Sequence, residues 1–501
     1  LAKNFLILLN YIYCYFVVVK MKVALIQPNL DARGNQRQAY GSIERPPETG
    51  LAVLGSWANE FSKQDHETKV FDPNRSIEDI TEEASQYDIL GLTDWFSNHR
   101  NCVDIARAVK SHNSQTRIVL GGPNASMMPQ LILKNHPYID FVVQRDGEES
   151  LVGLIDGKNS EEIPNLWYRG IDGRPKFSFS QFTDLKKMSL WDFSRHENVE
   201  ERLTKYLEAQ NSGFDPWIVP PLALFSFRGC MKAIREGVCS YCTSSEEQGR
   251  ALPPEKLWQQ IRHLNQTHGA EIFYMADDIF PVTSRKIKQI AEARPNDVRA
   301  RIRAYGYLPD MAEMNQSELK EMAQDLERIG IFNLFFGSEH YDPIVLSGMN
   351  KRGISVEETA RIIQTIYDVG GVKTTIAYLL GLPKESRETL ETNLRSLEKL
   401  MEVDGCVERL YISVGMPLRG TPWFNDLERD QDVKTEYHQQ TGKDLAIDDS
   451  PDYGLLSRLS LRHRSSVSPK EINEYLSRMI NVSKQKMPEY RIGGFMLDIG
   501  E

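Results

Sequence analysis

Two series of alternating strands and helices, separated by residues 156–215 where the alternation is lost, predict an α/β chain: an N-terminal doubly wound parallel sheet over 21–155, then a partial β/α TIM-like barrel over 216–424 and a small C-terminal extension over 425–501. Three observations carry this. Short apolar runs recur between stretches whose apolar residues stand three or four apart, as crossover helices require. Glycines, prolines and charged residues gather just after the apolar runs, where such sheets keep their working ends. The 501-residue length also exceeds what one core fills, at roughly 100–200 residues per domain.

The elements follow in order. Phe5–Val19 (FLILLNYIYCYFVVV) is apolar but short of the ~20 residues that span a bilayer, and no small-residue cleavage site follows it. Residues 1–20 are therefore read as an extension outside the core, with a membrane-associating segment as the second reading. VALIQP (23–28), KVFD (69–72), DILGLT (88–93), RIVLGG (117–122) and DFVVQ (140–144) are the first strands, with amphipathic helices between them. Their carboxyl ends carry Pro46–Gly50, Thr93–Phe96, Gly121-Gly122-Pro123 and Gly147-Glu148. Residues 156–215 read as linker and wall. LALFSF (222–227), EIFYM (271–275), VRARIRAY (298–305), IFNLFFG (331–337), VKTTIAYLL (372–380) and RLYISV (409–414) are the six barrel strands, with helices near 254–267, 284–293, 315–329, 355–369 and 386–402. In the C-terminal extension the basic run SRLSLRHRSS (457–466) reads as a solvated face.

Composition narrows the function. Apolar residues at 41% and charged residues at 26% are those of a globular protein rather than a disordered chain or a membrane bundle. A net charge of −10 excludes a general nucleic-acid binder, which needs surplus Lys and Arg to displace counterions. A small molecule or peptide is the expected substrate. Six cysteines in so long a chain form no disulfide framework, so a reducing cytoplasm is expected.

Three of those cysteines fall in RGCMKAIREGVCSYC (228–242): Cys230, Cys239 and Cys242. A metal site, a disulfide and coincidence are the alternatives. Structural zinc takes four ligands, and the loop holds no histidine to complete the set; an iron–sulfur cluster on three thiolates keeps one iron open. The other strand ends carry Ala276-Asp277-Asp278, Gly337-Ser338-Glu339-His340, Gly381-Leu382-Pro383 and Pro417–Pro422, while Arg301, Arg303 and Tyr305 share one face of the third strand. Each alone is explained by capping or turning. Together with the cysteines they mark one rim. H-E-x-x-H, G-x-S-x-G and phosphate-loop motifs are absent.

On these motifs, residues 222–422 resemble the radical SAM superfamily, and residues 21–155 are similar to the cobalamin (B12)-binding domain often fused ahead of it, a Rossmann/flavodoxin-like sheet. The C-S-Y-C half (239–242) matches the family; the interval from Cys230 to Cys239 is expanded from the usual three residues to eight. The resemblance implies that the three cysteines hold a [4Fe–4S] cluster whose open iron chelates S-adenosylmethionine, cleaved to a 5′-deoxyadenosyl radical. It places Tyr241 beside the adenine, Asp277 and Asp278 at the methionine ammonium, Arg303 at its carboxylate, and Glu339 at the amino group or ribose. PPETGLAVLGSWA (46–58), GGPNAS (121–126) and DFVVQRDGEESL (140–151) carry the cobalamin likeness, which implies contacts from Thr93, Trp95, Gly121, Gly122, Gly147 and Glu148. The D-x-H-x-x-G signature of a lower histidine ligand is absent, so Thr93–Asn98 or the loop near Asn124 is expected at that face. An electron donor such as a flavodoxin or ferredoxin is implied. The expected reaction is methylation of an unactivated carbon or phosphorus. The alternatives are a rearrangement or cyclisation with the same cofactors, an N-terminal domain serving only as a partner platform, and a zinc-stabilised binding module. For Tyr305, His340 and Tyr378, packing is preferred over proton or hydrogen transfer.

Overall fold

The computed structural model describes residues 20–29, 47–211, 222–244, 248–280, 283–403, 405–488 and 492–493. The apolar stretch Phe5–Val19, Pro46 and the 212–215 end of the expected linker lie outside the described residues. Among those described, no helix is long and apolar enough to cross a membrane.

The first sheet contains β1 (Met21–Ile26), β2 (His66–Val70), β3 (Ile89–Thr93), β4 (Arg117–Gly121), β5 (Phe141–Val143), β6 (Leu166–Arg169) and β7 (Pro175–Phe177), in the order β2-β1-β3-β4-β5-β6-β7. β1 to β5 run parallel. Neighbouring residues of these strands feed opposite faces, as the pleat dictates. Val23, Leu25, Ile89, Val119 and Val143 pack under the helices Thr49–Phe61 and Glu148–Ile155. Ala24, Ile26, Leu90, Leu92, Ile118 and Leu120 pack under His99–His112 and Pro129–Asn135. Strands buried on both faces must be nearly all apolar, which is why these runs were conspicuous in the sequence. Chain order reverses between β1 and β3, so a crevice opens at their carboxyl ends.

Residues 156–215 depart from the linker expectation. β6 and β7 add an antiparallel hairpin to β5, and the segment before the next helix covers the opposite edge: Val70 N–H donates to Arg195 O and Glu197 N–H to Val70 O. Both edges of the parallel sheet need their backbone groups paired, and this region supplies the partners.

The second sheet comprises β8 (Leu222–Leu224), β11 (Ile272–Met275), β12 (Arg301–Gly306), β13 (Ile331–Glu339), β14 (Lys373–Leu380), β15 (Val407–Val414) and β16 (Ile492–Gly493), all parallel and adjacent in chain order. A small ladder of β9 (Phe227–Arg228) and β10 (Arg250–Ala251) stands at its end. The six expected strands form, and β16, from the C-terminal extension, adds a seventh. That extension also contributes helices Pro422–Arg429, Gln431–Thr441, Tyr453–Arg464 and Pro469–Lys486.

The basic run 457–466 is not the expected solvated face. Leu455, Leu456, Leu459 and Leu461 of its helix are buried, the first three against Trp423, Phe424 and Tyr437. Arg462 and His463 pair with Glu436, and Arg464 with Asp426 and Asp430. Leucines three and four apart seat the helix, and the acids of neighbouring helices take up its charge.

Candidate functional site

The carboxyl ends of the two sheets face each other across one cavity of about 590 Å³. Leu25, Ile89, Val119 and Val143 make an apolar floor on the first sheet, with Gly91, Gly121 and Gly122 beside them; Arg228, Cys242 and Asp278 stand on the opposite wall. The glycines clear the floor of side chains. A Cβ at Gly91 would lie 2.6 Å from Leu25, and one at Gly122 would lie 2.8 Å from Asp94 O, with φ +104° in addition. At Gly50, which also lines the cavity, a Cβ would project into open space.

Thr93, Trp95, Gly121, Gly122, Gly147 and Glu148 all line this cavity. Asn98 and Asn124 do not. Asn98 donates to Pro28 O and Thr93 O and accepts from Trp95 N–H, and Asn124 donates to Asp94. Both side chains are consumed in shaping the loops; of the two expected segments, Thr93 and Trp95 of Thr93–Asn98 and Pro123 and Ser126 of the loop near Asn124 line the cavity. No histidine lies among the lining residues.

On the other wall, the interval between Cys230 and Cys239 forms a helix, Met231–Glu236, capped by Gly237 at φ +84°. Lys232 Nζ donates to Gly237 O and Asn350 O, Asn350 Nδ2 donates to Val238 O at 2.9 Å, and Ser240 N–H donates to Met349 O. The extra residues thus anchor the cysteine loop to the turn at 349–350. Burial first, with Asp278 and the two other thiols adding, pushes Cys242 up to about 12, while the Ser244 N–H opposes. Cys230 is raised by the same burial, with Asp278 and Cys239 adding. Three thiols beside a carboxylate make ionised sulfur costly unless a cationic centre is held among them.

A structural zinc ion takes four protein ligands, whereas a cluster binds each thiolate through a different iron and accepts three.

The expected carboxylates divide. Asp278 is exposed on the cavity wall and accepts from Ser244 Oγ at 3.1 Å. Asp277 turns away: it is 1% exposed and accepts from the Ser226 and Phe227 N–H groups at 2.8 and 3.1 Å and from Ser226 Oγ. Burial, despite those bonds, raises it to about 7. Its contacts fix the turn that launches the cysteine loop, not a cofactor.

Glu339 ends β13 beside a register shift and adopts φ +61°, a strained conformation for a non-glycine residue costing about 1–3 kcal/mol. Its carboxylate accepts from Tyr241 Oη at 3.1 Å and Lys351 Nζ at 3.0 Å. Tyr241 and Glu339 are thus brought together as a bonded pair, and Lys351 joins them unforeseen. Arg303 lies away from the cavity lining, with its guanidinium over the Tyr274 ring at 4.9 Å, in a row continued by Tyr305, Phe335 and Tyr411 across the barrel strands. Tyr378 and His340 are each 1% exposed, as packing requires.

Arg228, two residues before Cys230, was also missed. It pairs with Asp146 at 2.9 Å and Glu148 at 2.5 Å, and Arg250 also pairs with Asp146. Burial works against ionised Asp146, but Arg228 and Arg250 outweigh it and hold the carboxyl below its usual range. This bridge joins the end of β5 to β9 and fixes the two walls of the cavity. An arginine beside the first cysteine was the available signal, but its acidic partners lie some 80 residues upstream.

With this geometry in place, the likeness to known proteins can be read. The B12 binding domain model matches residues 51–155 and the radical SAM superfamily model residues 224–397, together more than half of the chain. An uncharacterized methyltransferase, PH0819 of Pyrococcus horikoshii, is 24% identical over 76% of this chain and 78% of its own length. An anaerobic magnesium-protoporphyrin IX monomethyl ester cyclase of Cereibacter sphaeroides is also 24% identical, over 62% of this chain and 48% of its own length. The structure of the radical S-adenosylmethionine methyltransferase TsrM from Kitasatospora setae, with cobalamin and a [4Fe–4S] cluster bound, superposes with a TM-score of 0.63 at 17% identity, over 82% of this chain and 78% of that one. The chain is a radical SAM superfamily enzyme with a B12 binding domain ahead of its radical SAM core.

Proposed function

We propose that this enzyme is a cobalamin-dependent radical SAM methyltransferase acting on a small molecule, with electrons delivered by a flavodoxin or ferredoxin. The observation that carries the reading is the cavity that the two sheets share: its glycine-cleared apolar floor lies under the same volume that Cys242 and Asp278 face. Cys230, Cys239 and Cys242 would hold the cluster. Leu25, Val119, Gly91 and Gly121 would take the face of a large planar corrin, and the lining offers it no imidazole. When bound, these groups supply the electron that cleaves S-adenosylmethionine and a carrier for the methyl group. Asp278 would accept hydrogen bonds from an ammonium at the cavity wall, and Tyr241, held by Glu339, would offer an aromatic edge beside the cysteine turn. The Arg228 bridge keeps the two walls in register.

Anaerobic reconstitution with iron, sulfide and hydroxocobalamin tests it. The expected product is brown, holds one cobalamin per chain, and loses its iron in a Cys230/Cys239/Cys242 triple alanine variant; retained iron and sulfide there would defeat the assignment. In turnover, methylation forms S-adenosylhomocysteine together with 5′-deoxyadenosine. A cyclase-type rearrangement, the second reading favoured by the Cereibacter similarity, forms no S-adenosylhomocysteine.

A further inference from the structure

Outside the cavity, the chain brings two imidazoles and a carboxylate together from distant segments. His99 opens the helix His99–His112, His136 follows the helix Pro129–Asn135, and Asp449 lies in the segment before the helix Tyr453–Arg464. One donor atom from each lies within 4.8 Å of the other two. His136 Nε2 is 2.6 Å from Asp449 Oδ2, and His99 Nε2 is 3.9 Å from Asp449 Oδ1. None of the three lines the cavity.

Both rings are oriented through their other nitrogen. His99 Nδ1 donates to Asp94 Oδ1 at 3.0 Å, and Asp94 is itself held by Asn124 Nδ2 at 3.0 Å. His136 Nδ1 meets Tyr138 Oη at 2.9 Å. For His99 this is the carboxylate–histidine arrangement that fixes the tautomer and presents the remaining nitrogen to a metal. A second observation is independent of the clustering. His99 is 2% exposed, yet its Nε2, aimed at Asp449, makes no hydrogen bond. A His136–Asp449 ion pair alone leaves that atom without a partner, whereas a metal ion between the three satisfies it.

We propose that His99, His136 and Asp449 bind a zinc-type divalent ion that staples the C-terminal helical segment to the first sheet. Two imidazoles and a carboxylate are the donor set of the open type of zinc centre, in which three protein ligands and a water complete the tetrahedron, rather than of a closed four-ligand site. The staple falls on a contact already present: Asn135 Nδ2 donates to Ile447 O, and Arg100 Nε to Ser450 Oγ, both at 2.9 Å. The site does not depend on the reading of the cavity.

The test uses the anaerobically prepared holoprotein, incubated with zinc chloride and freed of loose ion by gel filtration. One zinc per chain is expected beyond the cluster iron. Its X-ray absorption should show a nitrogen and oxygen shell at about 2.0–2.1 Å and no sulfur. His136→Gln and the isosteric Asp449→Asn should lose zinc at least tenfold while keeping iron and sulfide, and Cys239→Ala should keep the zinc. Asp94→Asn leaves all three ligands in place and should weaken zinc about 10–100-fold; it decides the matter if a ligand variant misfolds. Failure of the wild-type protein to retain zinc, equal retention in His136→Gln and Asp449→Asn, or an unchanged affinity in Asp94→Asn would each overturn the proposal. With iron still bound, those results would leave the cluster reading intact. A sulfur shell at ~2.3 Å would overturn the proposal and count against the cluster reading too, by placing zinc on the cysteine loop.

Discussion

The two walls of the cavity are built on opposite principles. On the first sheet, function rests on what is missing: Gly91, Gly121 and Gly122 leave room beside an apolar floor of core residues. On the second sheet it rests on charge and sulfur, and most of the charged groups already have protein partners. Asp277 is committed to the Ser226–Phe227 turn, Glu339 to Tyr241 and Lys351, and Arg228 to Glu148 of the facing wall. A glycine acts by absence wherever the chain passes, but a carboxylate is defined by what it meets. Of the two acids after β11, only Asp278 faces the cavity.

Five substitutions test this contrast. Arg228→Met should have the largest effect, because it leaves the buried Glu148 without its cationic partner and Asp146 with Arg250 alone. A loss of about 3 kcal/mol in chemical denaturation is expected, with weakened cobalamin retention. A loss below 1 kcal/mol would mean that the walls are registered by something else.

Gly122→Ala should cost about 1–3 kcal/mol, since its φ is positive and the new Cβ meets Asp94 O. Gly50→Ala is the control on the same wall. Its Cβ enters open space, so stability should change by under 1 kcal/mol, while titration with hydroxocobalamin should show weaker binding.

Asp277→Asn probes the opposite wall through pH. The folded carboxyl titrates near 7 because of burial, above its unfolded value, so the native state holds the extra proton between the two. Stability from this group is therefore present at low pH and is lost as pH rises through about 7. Asparagine mimics the neutral acid. The melting temperature of the variant relative to wild type should rise between pH 6 and 8.5, and a flat difference would show that Asp277 is ionised throughout. Tyr241→Phe removes one hydrogen bond to Glu339 and should cost about 0.5–1.5 kcal/mol by thermal denaturation.

Much of the fold was legible in the sequence because β1, β3 and β4 are buried on both faces and must read as unbroken apolar runs. The hairpin of β6 and β7 was not, since short strands of mixed polarity gain their identity only by pairing with β5. The basic helix Tyr453–Arg464 misled for a related reason. Its arginines are loud in the sequence, but its buried leucines depend on a small core with Trp423 and Tyr437 assembled elsewhere in the chain.

The sequence by itself determined the alternation of strands and helices, the strand ends at which chemistry collects, and the cysteine trio, because each is a local pattern of residue type and spacing. The tertiary structure alone decided which acid faces the cavity and that Cys230–Cys239 closes through a helix pinned at Met349–Asn350. It alone brought Arg228 to Glu148 and His99 to Asp449. Partner choice between residues 80 to 350 positions apart is set by how the two sheets and the C-terminal helices pack, and no local pattern carries that information.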